Sequence, residues 1–191
     1  MDNRIRFMLH LLDEQIQICE NCVLNENGIV KPYWTEHSKY MIIGEGPSEL
    51  EVNGYNHFIG QRGKMFWKIM AEEGFTKNEF LIMNSVQCRV VKKGNKTGKP
   101  SVLHRKMCKS WIEKYFRILL PEKILLFGNF AINSIMGEWG LEKFYKNDTL
   151  MTENKLFGSK VKIIRSYSPG SIIYEPSREK DLRRSIRLLR S

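Results

Sequence analysis

The sequence lacks any long apolar run and contains only four cysteines among its 191 residues. No apolar stretch approaches the roughly 18 residues that cross a membrane, which argues against a membrane-spanning protein. The N-terminal stretch carries acidic residues between its apolar ones and has no small-residue cleavage site, so it does not have the pattern of a signal peptide. We therefore expect a cytoplasmic protein without a membrane partner.

Acidic residues are scarce relative to basic ones. The chain has 21 Asp and Glu against 31 Lys and Arg, which gives a formal net charge of +10. A basic excess of this size favours a polyanionic partner, and nucleic acid is the commonest polyanion of the cytoplasm. The charge leaves open a second interpretation, a lysine-rich surface that only keeps the protein in solution.

The length and composition predict one globular domain. A chain of this size buries roughly 70% of the surface of its unfolded state, so it needs no disulfides to hold it together. Hydrophobic residues make up 42% of the chain and aromatic residues 11%, which excludes a disordered protein. We expect a monomer with a single domain over residues 1–191, in which the segment 1–39 packs on the rest.

Short apolar runs alternate with helical patterns along the chain. Runs of this length bounded by glycine and proline predict buried strands, and they lie at 40–43, 80–86, 124–127 and 161–166. Helices are predicted at 3–18, 62–73, 102–119, 130–136 and 178–190. The alternation predicts a three-layer α/β/α fold with a central four-stranded parallel sheet.

Ligands of such folds bind at the carboxyl ends of the strands. Four loops therefore converge on one edge of the predicted sheet, at 44–60, 84–101, 128–130 and 167–174. Residues 137–160 are expected to be irregular. We expect the functional site where the four loops meet.

The four cysteines are the strongest metal signal. Cys19 and Cys22 form a C-x-x-C pair, while Cys88 and Cys108 lie far downstream. In a cytoplasmic protein, four thiols indicate a metal site and not disulfides. Thiolates bind both zinc and iron–sulfur clusters, so the spacing leaves the metal open. It also leaves open a chance C-x-x-C pair and two buried thiols.

Four further motifs occur in order along the chain. They are GEGPSELE at 44–51 with HFIG at 57–60, MNSVQCR at 83–89, LFGNFA at 126–131 and YSPGS at 167–171. In this order they resemble the motifs of family 4 uracil-DNA glycosylases, which read G-E-A/G-P-G-E-x-E with G-x-P-F-V-G, T-N-V-V-K-C-R, L-G-x-x-A and H-P-S. The resemblance covers nearly the whole chain. The sequence departs from it in two places that matter, because Ser48 replaces a glycine and Ser168 stands where the family has a histidine.

The resemblance implies a glycosylase fold and a reaction. A DNA glycosylase, a hydrolase of base-excision DNA repair, breaks the N-glycosidic bond of a flipped-out base such as uracil and leaves an abasic site. DNA is then the polyanionic partner that the basic net charge favours. The resemblance also implies that Cys19, Cys22, Cys88 and Cys108 hold a 4Fe-4S cluster, and it favours this cluster over zinc.

The resemblance also assigns catalytic and base-binding residues. Glu45 and Glu51 are the carboxylates that can activate water or stabilise positive charge on the sugar. Phe58 is expected to stack on the base, and Asn84, also counted as catalytic, to pair with its edge. The base-binding set is completed by Gly46, whose N–H can reach a base carbonyl, and by Ser168. Each side chain has a simpler interpretation: a loop acid, a core aromatic or an amide that satisfies backbone groups.

A second group of residues is expected to contact the DNA strand. Ser171 can hold a phosphate, and Ile172 and Ile173 are candidates for an apolar wedge that fills the gap left by a flipped base. Lys92 and Lys93 are expected to follow the phosphate backbone. Core packing of the isoleucines and a solvated lysine loop are the alternatives.

Ser168 keeps further functions open. A smaller residue beside the base suits an enlarged pocket, and the resemblance extends to members that excise bulky modified cytosines, such as glucosylated hydroxymethylcytosine, from phage DNA as an antiviral defence. A non-catalytic DNA-binding module that keeps the fold is another candidate. A third is a zinc-stabilised α/β protein without a nucleic-acid role.

Overall fold

The structure, a computed structural model, describes residues 2–146 and 150–191. Its main sheet contains five strands in the order β2-β1-β5-β7-β6, and a separate hairpin pairs β3 with β4. The strands are β1 (Tyr40–Gly44), β2 (Phe80–Asn84), β3 (Val91–Lys92), β4 (Lys96–Thr97), β5 (Lys123–Phe127), β6 (Met151–Leu156) and β7 (Ser159–Ser166). Strands β2, β1, β5 and β7 run parallel, which confirms the predicted fold class.

The sheet has one strand more than predicted. Strand β6 lies in the segment 137–160, which was expected to be irregular, and pairs antiparallel with β7. The two strands are joined by Phe157 and Gly158, both with positive φ (50° and 94°), the backbone conformation of tight hairpin turns. As an edge strand with exposed positions, β6 does not need the continuous apolar run that marks the fully buried strands β1, β2 and β5.

Helices cover both faces of the sheet. They are α1 (Asn3–Gln17), α2 (Glu49–Asn53), α3 (Gly60–Glu72), α4 (Val102–Leu119), α5 (Gly128–Lys146), α6 (Pro169–Ile172) and α7 (Arg178–Arg187), with short 3₁₀ helices at Val23–Asn27 and Lys77–Glu79. Apolar side chains of α1, α4 and α5 form the core on one face, and those of α3, α6 and α7 form the core on the other. Every residue of β1, β2 and β5 is buried, as the three-layer prediction requires.

The N-terminal segment shares this core. Leu9, Leu12 and Ile16 of α1 pack in the first core, and the chain that follows runs along the free edge of β2. There, Tyr33 and Ile82 exchange two backbone hydrogen bonds of 2.9 and 2.8 Å. The segment therefore caps an edge strand that would otherwise expose its backbone groups.

Within residues 2–146 and 150–191, no helix is both long enough and apolar enough to cross a membrane.

Candidate active site

One cavity lies at the carboxyl ends of the parallel strands. Its volume is about 680 Å³, and its walls include the residues that end β1, β2 and β5 and the loop that follows β7. The predicted residues on its walls are Glu45, Gly46, Glu51, Phe58, Asn84, Ser168 and Ile173. We call it the base cavity. The structure thus brings together all of the residues that the sequence assigned to the base or to the bond.

Asn84 is held tightly at the floor of the base cavity. It pairs in register with Gly44, and a Cβ atom on Gly44 would lie 2.4 Å from its Oδ1, so only glycine leaves room for the amide. Its side-chain Nδ2 donates to Nδ1 of His57 at 3.4 Å. Asn84 is 4% exposed, and its backbone carbonyl accepts a hydrogen bond from the Gln87 side chain.

His57 is buried behind Asn84. The ring is 1% exposed, and its Nε2 lies 3.0 Å from the backbone carbonyl oxygen of Lys31. Burial lowers the pKa of His57 from 6.5 to about 4, the hydrogen bond to Lys31 opposes this shift, and the charge of Lys77 adds to it. The imidazole is therefore neutral at neutral pH.

This pKa shift predicts a stability that depends on pH. The unfolded chain protonates His57 near pH 6.5, whereas the folded chain does so only near pH 4. Because the unfolded state binds the proton first, the free energy of unfolding falls as the pH drops through this window, by about 3 kcal/mol in total. Urea unfolding at several pH values measures the loss. Carboxylates titrate in the same range, so His57→Gln is the control, and an equally steep fall in this variant would contradict the assignment.

The loop before α3 presents Phe58 to the base cavity. Phe58 has a φ of 49°, a backbone conformation that bulky residues adopt only where the surroundings impose it. A Cβ atom on Gly63 would lie 1.8 Å from the Phe58 carbonyl oxygen, so the turn fits only against glycine. The Phe58 ring packs on the rings of Phe66 and Phe127, at centroid distances of 5.1 and 5.6 Å.

Glu51 ties this loop to the start of α2. Its Oε2 accepts hydrogen bonds from the backbone N–H and the hydroxyl of Ser48, both at 2.8 Å. Its Oε1 accepts the backbone N–H of Phe58 at 2.7 Å. Both carboxylate oxygens are thus already engaged, and the Ser48 substitution supplies the hydroxyl that completes this capping box.

Among the described residues, the carboxylate of Glu45 is not engaged by any other group of the protein. Glu45 follows β1, is half-buried and lines both the base cavity and an adjoining one. Its backbone carbonyl accepts the N–H of Val86 at 3.3 Å, but within residues 2–146 and 150–191 its carboxylate has no hydrogen-bond or ion-pair partner. Its oxygens are therefore available to a ligand or a water molecule.

The adjoining cavity is strongly basic. It has a volume of about 770 Å³ and shares Glu45, Gly128 and Ser168 with the base cavity. Its cationic wall residues are Lys99, Arg105, Arg165, Arg178 and Arg184. Sequence reasoning did not single out Arg105 or Arg178, because each stands in a helix where a charged residue is normal. We call this space the basic cavity.

The residues that were predicted to contact the DNA strand lie further apart than the predicted base-binding residues. Ser171 lines the basic cavity, and its hydroxyl donates to the Ser168 carbonyl at 2.7 Å. Ile172 is 5% exposed and belongs to the core, whereas Ile173 is 46% exposed, so of the two only Ile173 can touch a ligand in this structure. Lys92 and Lys93 are exposed on the β3–β4 hairpin and line neither cavity.

The four cysteines converge without forming a closed metal site. Cys22, Cys88 and Cys108 share one small apolar cluster, and the Trp111 indole N–H donates to the Cys19 sulfur at 3.4 Å. Burial is the largest cause and, together with the neighbouring cysteine sulfurs, raises the pKa of Cys88 to about 12. The same two causes, opposed by a backbone hydrogen bond from Gln87, raise the pKa of Cys108 to about 11. Among the described residues, no group of His, Cys, Asp or Glu is arranged to hold a metal ion. The chemistry of the four thiols nevertheless suits a thiophilic metal, because a bound cation would relieve the repulsion between the neighbouring sulfurs.

The fold and the site together define a class of protein. A parallel α/β sheet carries an aromatic ring, an amide and a free carboxylate at its strand ends, next to a basic cavity, as an enzyme acting on a nucleic-acid base requires. The model of the Uracil DNA glycosylase superfamily matches residues 32–190. The chain belongs to this superfamily, and the prediction of a DNA glycosylase of the hydrolase class is confirmed.

Several relatives are similar over most of the chain. The type-4 uracil-DNA glycosylase of Archaeoglobus fulgidus is 25% identical, covering 85% of this chain and 81% of the relative. The type-4 enzymes of Thermotoga maritima and Sulfurisphaera tokodaii are each 22% identical, covering 90% and 95% of this chain and 86% and 83% of the relatives. These matches confirm the resemblance to family 4.

Proposed function

We propose that this protein hydrolyses the N-glycosidic bond of a nucleotide flipped out of DNA, with uracil as the leading base. The observation that carries the proposal is the meeting of Glu45, Phe58 and Asn84 around one cavity. The names of the type-4 relatives support uracil.

The base is held by stacking and by its edge. Phe58 offers a ring on the wall of the base cavity, and stacking of a base on an aromatic ring contributes about 1–3 kcal/mol. Asn84 offers a carbonyl oxygen and an amide on the floor, the pair of groups that matches the imide edge of uracil. The N–H of Gly46 supplies a donor to a base carbonyl.

The bond breaks through a transition state with positive charge on the sugar. Water attacks C1′, the C1′–N bond breaks, the electron pair leaves with the base, and the water proton ends on the base or on solvent. The free carboxylate of Glu45 stabilises the developing positive charge or orients the water. Glu51, whose oxygens already accept three hydrogen bonds, acts as a positioning residue for Phe58.

The basic cavity binds the DNA strand next to the flipped nucleotide. Its cationic wall and the net charge of +10 favour phosphate groups. Because this cavity shares Ser168 and Gly128 with the base cavity, a strand that crosses it can deliver the nucleotide directly. Ile173, exposed at the rim, is the remaining candidate for the wedge.

The cavities also support a second candidate substrate. Together they offer far more space than uracil fills, and Ser168, on the wall that they share, is smaller than the histidine that the family has at this position. This observation favours a bulky modified cytosine, such as glucosylated hydroxymethylcytosine of phage DNA, as an alternative base. Excision from phage DNA would make the protein an antiviral defence.

A panel of duplex oligonucleotides tests both candidates. Each duplex carries uracil, hypoxanthine, xanthine or glucosylated hydroxymethylcytosine, and abasic sites are detected by alkaline cleavage. Release of uracil alone supports the leading proposal, and release of the glucosylated base alone supports the alternative. If none is released while duplex binding is tight, the protein is a non-catalytic DNA-binding module and both proposals fail.

Cys19, Cys22, Cys88 and Cys108 are the residues that would hold a 4Fe-4S cluster. The support is the resemblance to family 4 and the convergence of the sulfurs. With such a cluster bound, the four cysteines would join the N-terminal segment to the loop after β2 and to α4.

A cysteine substitution is expected to remove the cluster. Cys108→Ser should abolish broad visible absorbance and bound iron, and it should lower Tm by about 10 °C because a cross-link between three segments is lost. Iron, sulfide and zinc analysis of protein prepared without oxygen measures the effect. Ser110→Ala, on the same helix and exposed, is the matched control. A colourless wild type that contains zinc would contradict the iron–sulfur assignment.

A further inference from the structure

His57 contacts the amide of Asn84, yet the proposed reaction gives it no role. It lies directly before Phe58, where the family motif has a proline that could make neither of its hydrogen bonds. Its Nε2 faces the Lys31 carbonyl oxygen at 3.0 Å, and its Nδ1 faces the Asn84 side chain at 3.4 Å. A histidine buried to 1% exposure and hydrogen-bonded at both nitrogens is fixed in orientation.

The two hydrogen bonds determine the tautomer of the ring. A carbonyl oxygen can only accept, so the Nε2 atom of His57 carries the proton and donates to Lys31. The ring is neutral, because burial depresses its pKa, and its Nδ1 therefore has a bare lone pair. The atom opposite this lone pair has to be a donor, which is the Nδ2 of Asn84.

The orientation of the Asn84 amide follows from that tautomer. With Nδ2 turned toward His57, Oδ1 lies on the side of Gly44, at the wall of the base cavity. A flip of the amide by half a turn would bring Oδ1 against the lone pair of Nδ1. Two acceptors facing each other in a buried site are costly, so the amide keeps one orientation.

We propose that His57 is a positioning residue that fixes the acceptor Oδ1 of Asn84 toward the base, and thereby selects bases that present an imide N–H. Uracil has such a donor at N3, whereas the ring nitrogen N3 of cytosine is an acceptor. The inference rests on the proposed function, in which Asn84 meets the base edge. It adds a determinant of base selection that lies outside the cavity wall.

Single-turnover excision of uracil tests the inference in four proteins: wild type, His57→Leu, Asn84→Ala and the double variant. His57→Leu should lower the rate about tenfold, because the amide then populates both orientations. In the Asn84→Ala background it should have no further effect, since His57 acts through Asn84. His57→Gln, which offers one donor and one acceptor, should recover most of the rate. An equal loss in both backgrounds would overturn the inference.

Nitrogen NMR of the imidazoles gives a readout that does not need activity. The chain has four histidines, and the His57 signals are identified by their absence from His57→Gln. The inference requires a protonated Nε2 and a bare Nδ1, and the reverse tautomer would overturn it even in an active enzyme. If wild type excises no uracil but shows the expected tautomer, the proposed function fails while the positioning of Asn84 by His57 stands.

Discussion

Replacing Glu45 by glutamine is expected to lower the rate of base excision by about a hundred- to a thousandfold. Glu45 is the only carboxylate on the base cavity wall, within the described residues, whose oxygens accept no hydrogen bond from the protein. Glutamine keeps the size of the side chain but removes the negative charge that, in the proposed function, stabilises the sugar in the transition state. Single-turnover rates on a uracil duplex measure the loss, whereas the affinity for that duplex should change little.

A matched control separates the effect of the charge at residue 45 from the effect of the net charge of the protein. Glu153→Gln changes the net charge by the same amount on the edge strand β6, where the Glu153 side chain makes an exposed ion pair with Lys160, and it should leave the rate unchanged. If Glu45→Gln keeps more than a third of the wild-type rate, the catalytic assignment of Glu45 is wrong.

Asn84→Ala is expected to lower uracil excision roughly a hundredfold while leaving binding to undamaged duplex nearly unchanged. The buried amide meets only a flipped base, whereas binding to intact DNA depends on phosphate contacts elsewhere and is sensitive to salt. The measurements are excision rates and dissociation constants at several salt concentrations. Removal of the side chain also frees the Nδ1 atom of His57, so a thermal melt of the variant is part of the experiment.

The control for this variant is Asn154→Ala. Asn154 lies on β6, far along the sheet from the base cavity, and its side chain bonds only to the adjacent backbone. Equal losses of excision and of undamaged-duplex binding in Asn84→Ala would identify Asn84 as a structural residue. The proposal that Asn84 pairs with the edge of the base would then be wrong.

The fully buried strands and the convergence of the loops that follow them could be predicted from the sequence. Buried parallel strands are apolar on both faces, so β1, β2 and β5 appear as continuous runs. Strand β6 could not be found in this way, because four of the six residues in its sequence MTENKL are polar and its pairing depends on the turn at Phe157 and Gly158. Ile172 and Ile173 look alike in the sequence, and only packing against α3 and α7 separates a core residue from an exposed one.

The site residues show the same limit. Glu45, Phe58 and Asn84 follow from motif order. Glu51 was assigned to catalysis, although the pattern S-x-x-E at 48–51 is the signature of the capping box that the structure shows. His57 was missed because a lone histidine in a loop carries no signal of its own. Its role depends on the Lys31 carbonyl, which is 26 residues away in the sequence and meets it only in the folded chain.

A crystal structure of the Glu45→Gln variant bound to a uracil-containing duplex would show whether the base enters this cavity. We expect an extruded uracil whose ring lies against Phe58, whose N3–H points to Oδ1 of Asn84, and whose sugar lies next to residue 45. A base that remains stacked in the duplex, or one bound away from these three side chains, would contradict the proposed function.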